Sequence, residues 1–152
     1  MEKMVNRQGV NFLLSDDKSK LELSVIHGYL TQCYWSAGIS EILVAKAIAN
    51  SLCFGLYLNQ QQIGFARVTT DKATFAYLAD VFVLSEYEQR GLGTTLIDFL
   101  LQHPDLQGLR RFMLCTRDAH GLYKKFGFTG VENPEIMMQL NKPDLYIKAL
   151  AN

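Results

Sequence analysis

Apolar residues change their spacing along the chain, and each change marks an element. A short apolar run at residues 11–14, closed by Ser15, Asp16 and Asp17, predicts a first strand ending in a turn or cap. Leu21, Val25, Ile26, Tyr29 and Leu30 then recur at helical spacing up to Cys33. After a break at Ser36, Ala37 and Gly38, Ser40 is placed to cap a second helix bearing Ile42, Leu43, Ala45, Ala47 and Ile48. Residues 52–58 and 63–70 read as strands joined by a turn at Asn59, Gln60 and Gln61. A second turn at Asp71, Lys72 and Ala73 leads into the run 74–84, TFAYLADVFVL. That run is too rich in Val, Phe and Tyr for an exposed strand, so it belongs centrally in the sheet. Past a polar loop at 85–93, Leu96, Ile97, Leu100 and Leu101 predict a helix that Pro104 ends. Residues 111–116 read as a strand. Asp118 caps a short helix with Leu122, Tyr123 and Phe126 that Gly127 stops. Residues 128–131 and 136–140 read as closing strands, and 142–150 as a last helix.

Composition narrows the class. At 152 residues, 49% hydrophobic and 20% charged, the chain can bury one sizeable core, and a single domain over 1–152 is expected. Fifteen basic residues against fifteen acidic ones give no net charge, which argues against a partner held by bulk electrostatics, nucleic acid or membrane. Cys33, Cys53 and Cys115 form neither a disulfide framework nor a zinc knuckle. No stretch has the length of a membrane span, and the polar N-terminus is no signal peptide, so cytoplasmic residence is the default.

The candidate chemistry begins at Glu88-Gln89-Arg90-Gly91-Leu92-Gly93-Thr94, between the central strand and a helix whose first amides lack intrahelical acceptors. Two glycines let a backbone close around phosphate oxygens, and Arg90 adds charge at the rim. A loop needing glycine only for positive φ is the other reading. A Walker-type loop is excluded because no lysine follows Gly93, and a dinucleotide fingerprint because Leu96 stands where its third glycine belongs. Val81-Phe82-Val83 precedes the loop, and Leu122-Tyr123-Lys124-Lys125-Phe126-Gly127-Phe128 follows the next strand. In these three motifs, over residues 52–140, the chain resembles the GNAT family of N-acetyltransferases. Glu88 stands where Gln or Arg is usual, Thr116 where Asn often touches the cofactor, and Phe126 where a smaller residue is common.

The resemblance implies an α/β (α+β) fold, a mixed central sheet flanked by helices with splayed central strands, and acetyl-CoA (coenzyme A) as cofactor. The diphosphate would lie on the loop from Glu88 and Gln89 through Arg90, Gly91, Leu92 and Gly93 to Thr94. Pantetheine would run along the backbone of Val81, Phe82 and Val83, filling a gap that would otherwise leave peptide groups unpaired. Thr116 would add a cofactor contact. A neutral amine would attack the thioester directly, with Tyr123 returning a proton to the leaving thiolate. Asp80, on the face opposite Val81 and Val83 and set among aromatics, is the first candidate for the base, with Glu41, Asp118 and His120 behind it. The acceptor would be a small-molecule or peptide amine, contacting Tyr34, Trp35, Phe75 and Tyr77; Trp35 could equally pack only the helix junction.

A CoA-binding sensor or interaction module that has lost catalysis is the alternative, and a homodimer is compatible with either. A metal- or serine-dependent hydrolase ranks low, because His27, His103 and His120 form no His-Glu-x-x-His pattern and no Gly-x-Ser-x-Gly elbow is present.

Overall fold

Strands follow one another across the sheet in the order in which they occur in the chain. The structure, a computed structural model, describes residues 1–150. The strands are β1 (Glu2–Arg7), β2 (Val10–Ser15), β3 (Leu52–Leu58), β4 (Gln61–Thr70), β5 (Phe75–Val83) and β6 (Arg111–Leu114). Each pair from β1 to β5 is antiparallel, and β5 with β6 is parallel. A parallel pair needs a crossover, which α3 (Leu92–Leu101) supplies. Helices α1 (Leu23–Leu30) and α2 (Glu41–Ala49) connect β2 to β3, while α4 (His120–Lys124) and α5 (Leu145–Leu150) follow β6. Among the described residues, no helix is long and apolar enough to cross a membrane.

Both faces of the sheet are covered. On one, Phe54, Leu56, Ala76 and Leu78 pack with Leu96, Ile97 and Leu100 of α3, Phe99 meeting Phe54 edge-on at 6.1 Å. On the other, Cys53, Phe65 and Phe82 receive Ile26 and Leu30 of α1 and Val44 of α2. With β4 on one side, β6 on the other and helices on both faces, β5 has the interior place that its apolar run demands. The turn before it is tied down by the Asp71 carboxylate, which accepts from the amides of Ala73, Thr74 and Phe75 and from the Thr74 hydroxyl.

Three sequence expectations need correction. The residues before 11 form strand β1, joined to β2 by a two-residue turn with both Gln8 and Gly9 at positive φ. Its residues are almost all exposed, so no apolar alternation announces it. Neither 128–131 nor 136–140 forms a strand: β6 pairs only with β5, and Met138 and Leu140 are 98% and 87% exposed. Asp118 does not cap α4; Ala119 occupies that position, and its amide donates to the Thr116 hydroxyl. Ser40, by contrast, caps α2 through the amide of Leu43.

Phe65 is fully buried and faces Phe82 at 6.1 Å, so Phe65→Ala is expected to cost about 3–5 kcal/mol in a denaturant titration. A loss below about 1 kcal/mol would contradict this account of the α1/α2 face.

Candidate active site

Pairing of β5 with β6 ends at Leu78 opposite Leu114, although β5 runs on to Val83. From Ala79 onward, the edge of β5 turned toward β6 has no strand beside it. A cleft of about 600 Å³ opens there, with Ala79, Asp80 and Val81 on one wall and Cys115, Thr116 and Tyr123 on the other.

The divergence coincides with a β-bulge. Phe65 is opposite Phe82 but Arg67 is opposite Ala79, so Asp80 and Val81 together face one residue of β4. Asp80 has a left-handed backbone, φ 55°, unusual for a residue with a side chain. Uninterrupted alternation would send Asp80 into the core with Ala76 and Leu78. The inserted residue shifts the count, so Val81 and Val83 join that core while Asp80 and Phe82 belong to the α1/α2 side.

There Asp80 is tied on both oxygens. Arg67 Nε donates to Oδ2 at 2.6 Å and Trp35 Nε1 to Oδ1 at 3.2 Å. Arg67 Nη1 is in turn held by Ser51 Oγ at 3.2 Å and Thr69 Oγ1 at 3.3 Å. The carboxylate is therefore not isolated among aromatic rings, as its sequence neighbours suggest; it is one end of an ion pair spanning β4 and β5. Of the lesser candidates, Asp118 lines the cleft, Glu41 sits on α2 near His27 at 3.8 Å, and His120 is exposed at the start of α4.

Tyr123 is 8% exposed and its ring packs edge-on against Phe128 at 6.0 Å. Burial, then the neighbouring Tyr34, raises its pKa above the usual tyrosine value. The ring is fixed by packing while the residue borders the cleft. Tyr77 also lines the cleft, and burial together with a hydrogen bond to Cys115 pushes its pKa up to about 12. Tyr34 and Trp35 complete the mouth, with the Arg117 guanidinium 3.8 Å from the Tyr34 ring centroid. Burial lifts the Cys33 and Cys53 thiols to about 11, so both stay protonated near neutral pH.

Beyond the cleft, Gly91 (φ 72°) turns the chain into α3, and no side chain caps that helix. The first internal bond runs from the Thr95 amide to the Gly91 carbonyl, leaving the amides of Leu92, Gly93 and Thr94 without helical acceptors. Leu92 is buried as a whole residue, whereas Gly93 and Thr94 are half-buried, so the amides of those two are the ones within reach of a ligand. A Cβ built on Gly91 or Gly93 meets nothing within 4 Å, which leaves the loop open to an incoming group. Arg90 lies over the Tyr87 ring at 5.8 Å, and Glu88 lines the cleft between the loop and β5. From behind, Arg7 donates through Nε and Nη2 to Thr95 Oγ1, whose hydroxyl donates to the Gly91 carbonyl.

The structure thus gathers Tyr34, Trp35, Tyr77, Asp80, Val81, Glu88, Thr116 and Tyr123 around one cleft, with Gln89 to Thr94 at the adjoining helix end. Phe75 lies at the start of β5 outside it, and the Phe82 ring stacks on Tyr29 at 3.9 Å on the α1/α2 side. Sequence reasoning missed Tyr29, which it placed only in a helical stripe although it lines the cleft, and Arg67, whose strand carries no motif.

Comparison with known proteins agrees with this fold. The sequence model of the acetyltransferase (GNAT) family matches residues 21–128. A protein of Gibberella zeae described as a candidate acetyltransferase, FG08082, is 30% identical over 138 residues, 76% of this chain and 77% of that one. The crystal structure of a candidate GNAT-family acetyltransferase from Xanthomonas campestris pv. campestris is similar with a TM-score of 0.87 and 49% identity, covering 89% of this chain and 96% of that chain. A candidate acetyltransferase of Clostridium acetobutylicum, crystallised with acetyl-CoA, shares the fold at a TM-score of 0.62 and 16% identity, covering 87% of this chain and 96% of its own. With a mixed sheet that splays beside an uncapped helix, and a family match over most of its length, this chain belongs to the GNAT acetyltransferase family.

Proposed function

We propose that this chain is an acetyl-CoA-dependent N-acetyltransferase that passes the acetyl group to a primary amine by direct attack while both substrates are bound. The observation that carries the reading is the open edge of β5 beyond Leu78 facing a buried Tyr123 across the cleft. Acetyl-CoA, when bound, supplies an activated thioester. Amides of Gly93 and Thr94 suit its diphosphate, because they lack helical acceptors, are not buried and stand at the positive end of a helix dipole. The backbone of Val81 and Val83 offers strand-like hydrogen bonds to an extended amide chain. The Thr116 hydroxyl accepts from the Ala119 amide, which leaves its O–H free to donate to the cofactor.

An N–H on the open edge of β5 polarises the carbonyl as charge develops on its oxygen. The amine nitrogen bonds to the carbonyl carbon, the carbon–sulfur bond breaks, and the sulfur leaves with the electron pair. Tyr123, kept protonated by burial, then donates a proton to it; because a thiol has a pKa of about 8.5, this transfer is uphill and is completed as the phenolate takes up the proton that the attacking nitrogen sheds. The acceptor, protonated in water, must lose one proton before it attacks, and its nitrogen sheds a second once the new bond has formed. Asp80 is the carboxylate of β5 that borders both this cleft and the opening on the α1/α2 side, and its ion pair with Arg67 directs us to a role in drawing in and orienting the ammonium, with water carrying the proton away. Three unpaired thiols suit a reducing compartment, and we place the protein in the cytoplasm on that ground.

Tyr123→Phe should lower kcat about a hundredfold with little change in the KM for acetyl-CoA, because only proton donation is removed. Since burial raises the Tyr123 pKa, its phenol stays protonated throughout the working range, and kcat should show no alkaline limb from it below about pH 10. A limb near pH 8–9 that disappears in Tyr123→Phe would contradict the raised pKa, and an unchanged kcat in that variant would contradict the proton-donor role. Gly93→Val adds its side chain in open space at an ordinary φ, so the fold should persist while the KM for acetyl-CoA rises roughly tenfold. An unchanged KM in the folded variant would remove the diphosphate from this loop.

A further inference from the structure

A second cavity, about 740 Å³, lies on the α1/α2 side of the sheet. Trp35, Tyr77, Ala79 and Asp80 border both openings, so the two meet where β5 bulges. Its size is that of a small-molecule site. Leu30, Val44 and Phe65, all buried, give it an apolar floor, and Tyr146 of α5 supplies a further wall. That wall depends on Gly38 (φ 79°): a Cβ there would come within 3.0 Å of Leu150 Cδ1 and 3.5 Å of the Ile147 backbone nitrogen. Glycine is what lets α5 settle against the loop between α1 and α2. Helix α5 lies beyond the residues that the family model matches, so this wall is a feature of the chain rather than of the shared motifs.

The charges in the cavity limit what it can hold. Among the described residues its lining has one carboxylate, Asp80, and two cations, Arg67 and Lys46. Each Asp80 oxygen already accepts one hydrogen bond, which leaves lone pairs for an N–H from one further nitrogen at the shared border. A second cationic nitrogen would find no second acid in the lining, only Arg67 beside Asp80 and Lys46 on the exposed side. A polyhydroxylated body would set hydroxyls against Leu30, Val44 and Phe65 without partners, at a cost for each. An apolar ring gains by burial against the same surface, and Phe65, Tyr77 and Tyr146 offer it aromatic contacts.

Resting on the acetyl-transfer reading, we infer that this cavity receives the acceptor, and that the acceptor is a small primary monoamine with an apolar, ring-sized body. Asp80 takes its nitrogen at the border with the thioester cleft, and Tyr146 is a specificity-determining residue for the body.

The test measures thiol release from acetyl-CoA by the full chain with 2-phenylethylamine, ethylamine, spermidine and a lysine-containing peptide, alongside a calorimetric titration with CoA. The ring-bearing monoamine should exceed ethylamine in kcat/KM by about tenfold or more, and should also exceed spermidine and the peptide. Tyr146→Ala should raise the KM for 2-phenylethylamine about fivefold and leave that for ethylamine and the Kd for CoA unchanged. Leu43→Asp, at a cavity position already 42% exposed, should lower the rate with 2-phenylethylamine and raise that with spermidine, a readout independent of how α5 tolerates substitution. If CoA binds and thiol is released fastest with spermidine or the peptide, the acceptor class is wrong while the transferase reading stands. Equal effects of Tyr146→Ala on both monoamines would overturn the role of that wall. Absence of CoA binding, or binding with no thiol release for any amine, would end the transferase reading and this inference together.

Discussion

The ion pair between Arg67 and Asp80 is the constraint around which the site is organised. It joins β4 to β5 at the one point where two residues of β5 face one of β4, and it gives a carboxylate on a left-handed backbone a partner at 2.6 Å. Without the extra residue, Asp80 would point into the core beside Leu78, and Val81 and Val83 would lose their places there. Because of it, the same strand serves three purposes: its first half pairs with β6, its second half leaves an open edge, and Asp80 sits at the border of two cavities. A charged pair so placed contributes geometry more than net stability, since desolvation offsets much of its attraction.

The helix that follows supplies the second half of the site by leaving backbone groups unsatisfied. Ser40 caps α2 with its hydroxyl, whereas α3 begins at a glycine and has no side-chain cap. Its N-terminal turn is instead braced from behind, where Arg7 of β1 holds Thr95 and Thr95 holds the Gly91 carbonyl. An exposed edge hairpin thus reaches the N-terminal end of α3. Rigid support behind and open amides in front is what recognition of an anion by backbone requires.

Much of this could be read from the sequence, for reasons that differ by element. The run 74–84, the glycine loop and the Leu-Tyr-x-Lys stretch carry their information locally, in apolar density, turn chemistry and spacing; together they carry the resemblance to the family, and it is the resemblance that implies the mixed sheet with splayed central strands. Strand β1 was missed because an exposed edge strand needs no apolar pattern. Residues 136–140 misled because apolar alternation reports a preference and not a partner, and β6 pairs with β5 alone among the described residues. The bulge at Asp80 was invisible because it is a property of two strands together; the face of Asp80 came out as expected, while its guanidinium partner lay thirteen residues upstream without a motif. The second cavity was out of reach because its walls come from α1, α2, β4 and the distant α5.

The central claim is that the open edge of β5 and the first amides of α3 together form the coenzyme site. Amide hydrogen exchange with and without saturating CoA tests it at the residues concerned. The account predicts slowed exchange centred on residues 79–83 and 91–94, where backbone groups bordering the cleft lack strand or helix partners. Saturable CoA binding that leaves both segments exchanging at their free rates, with protection elsewhere, would contradict it.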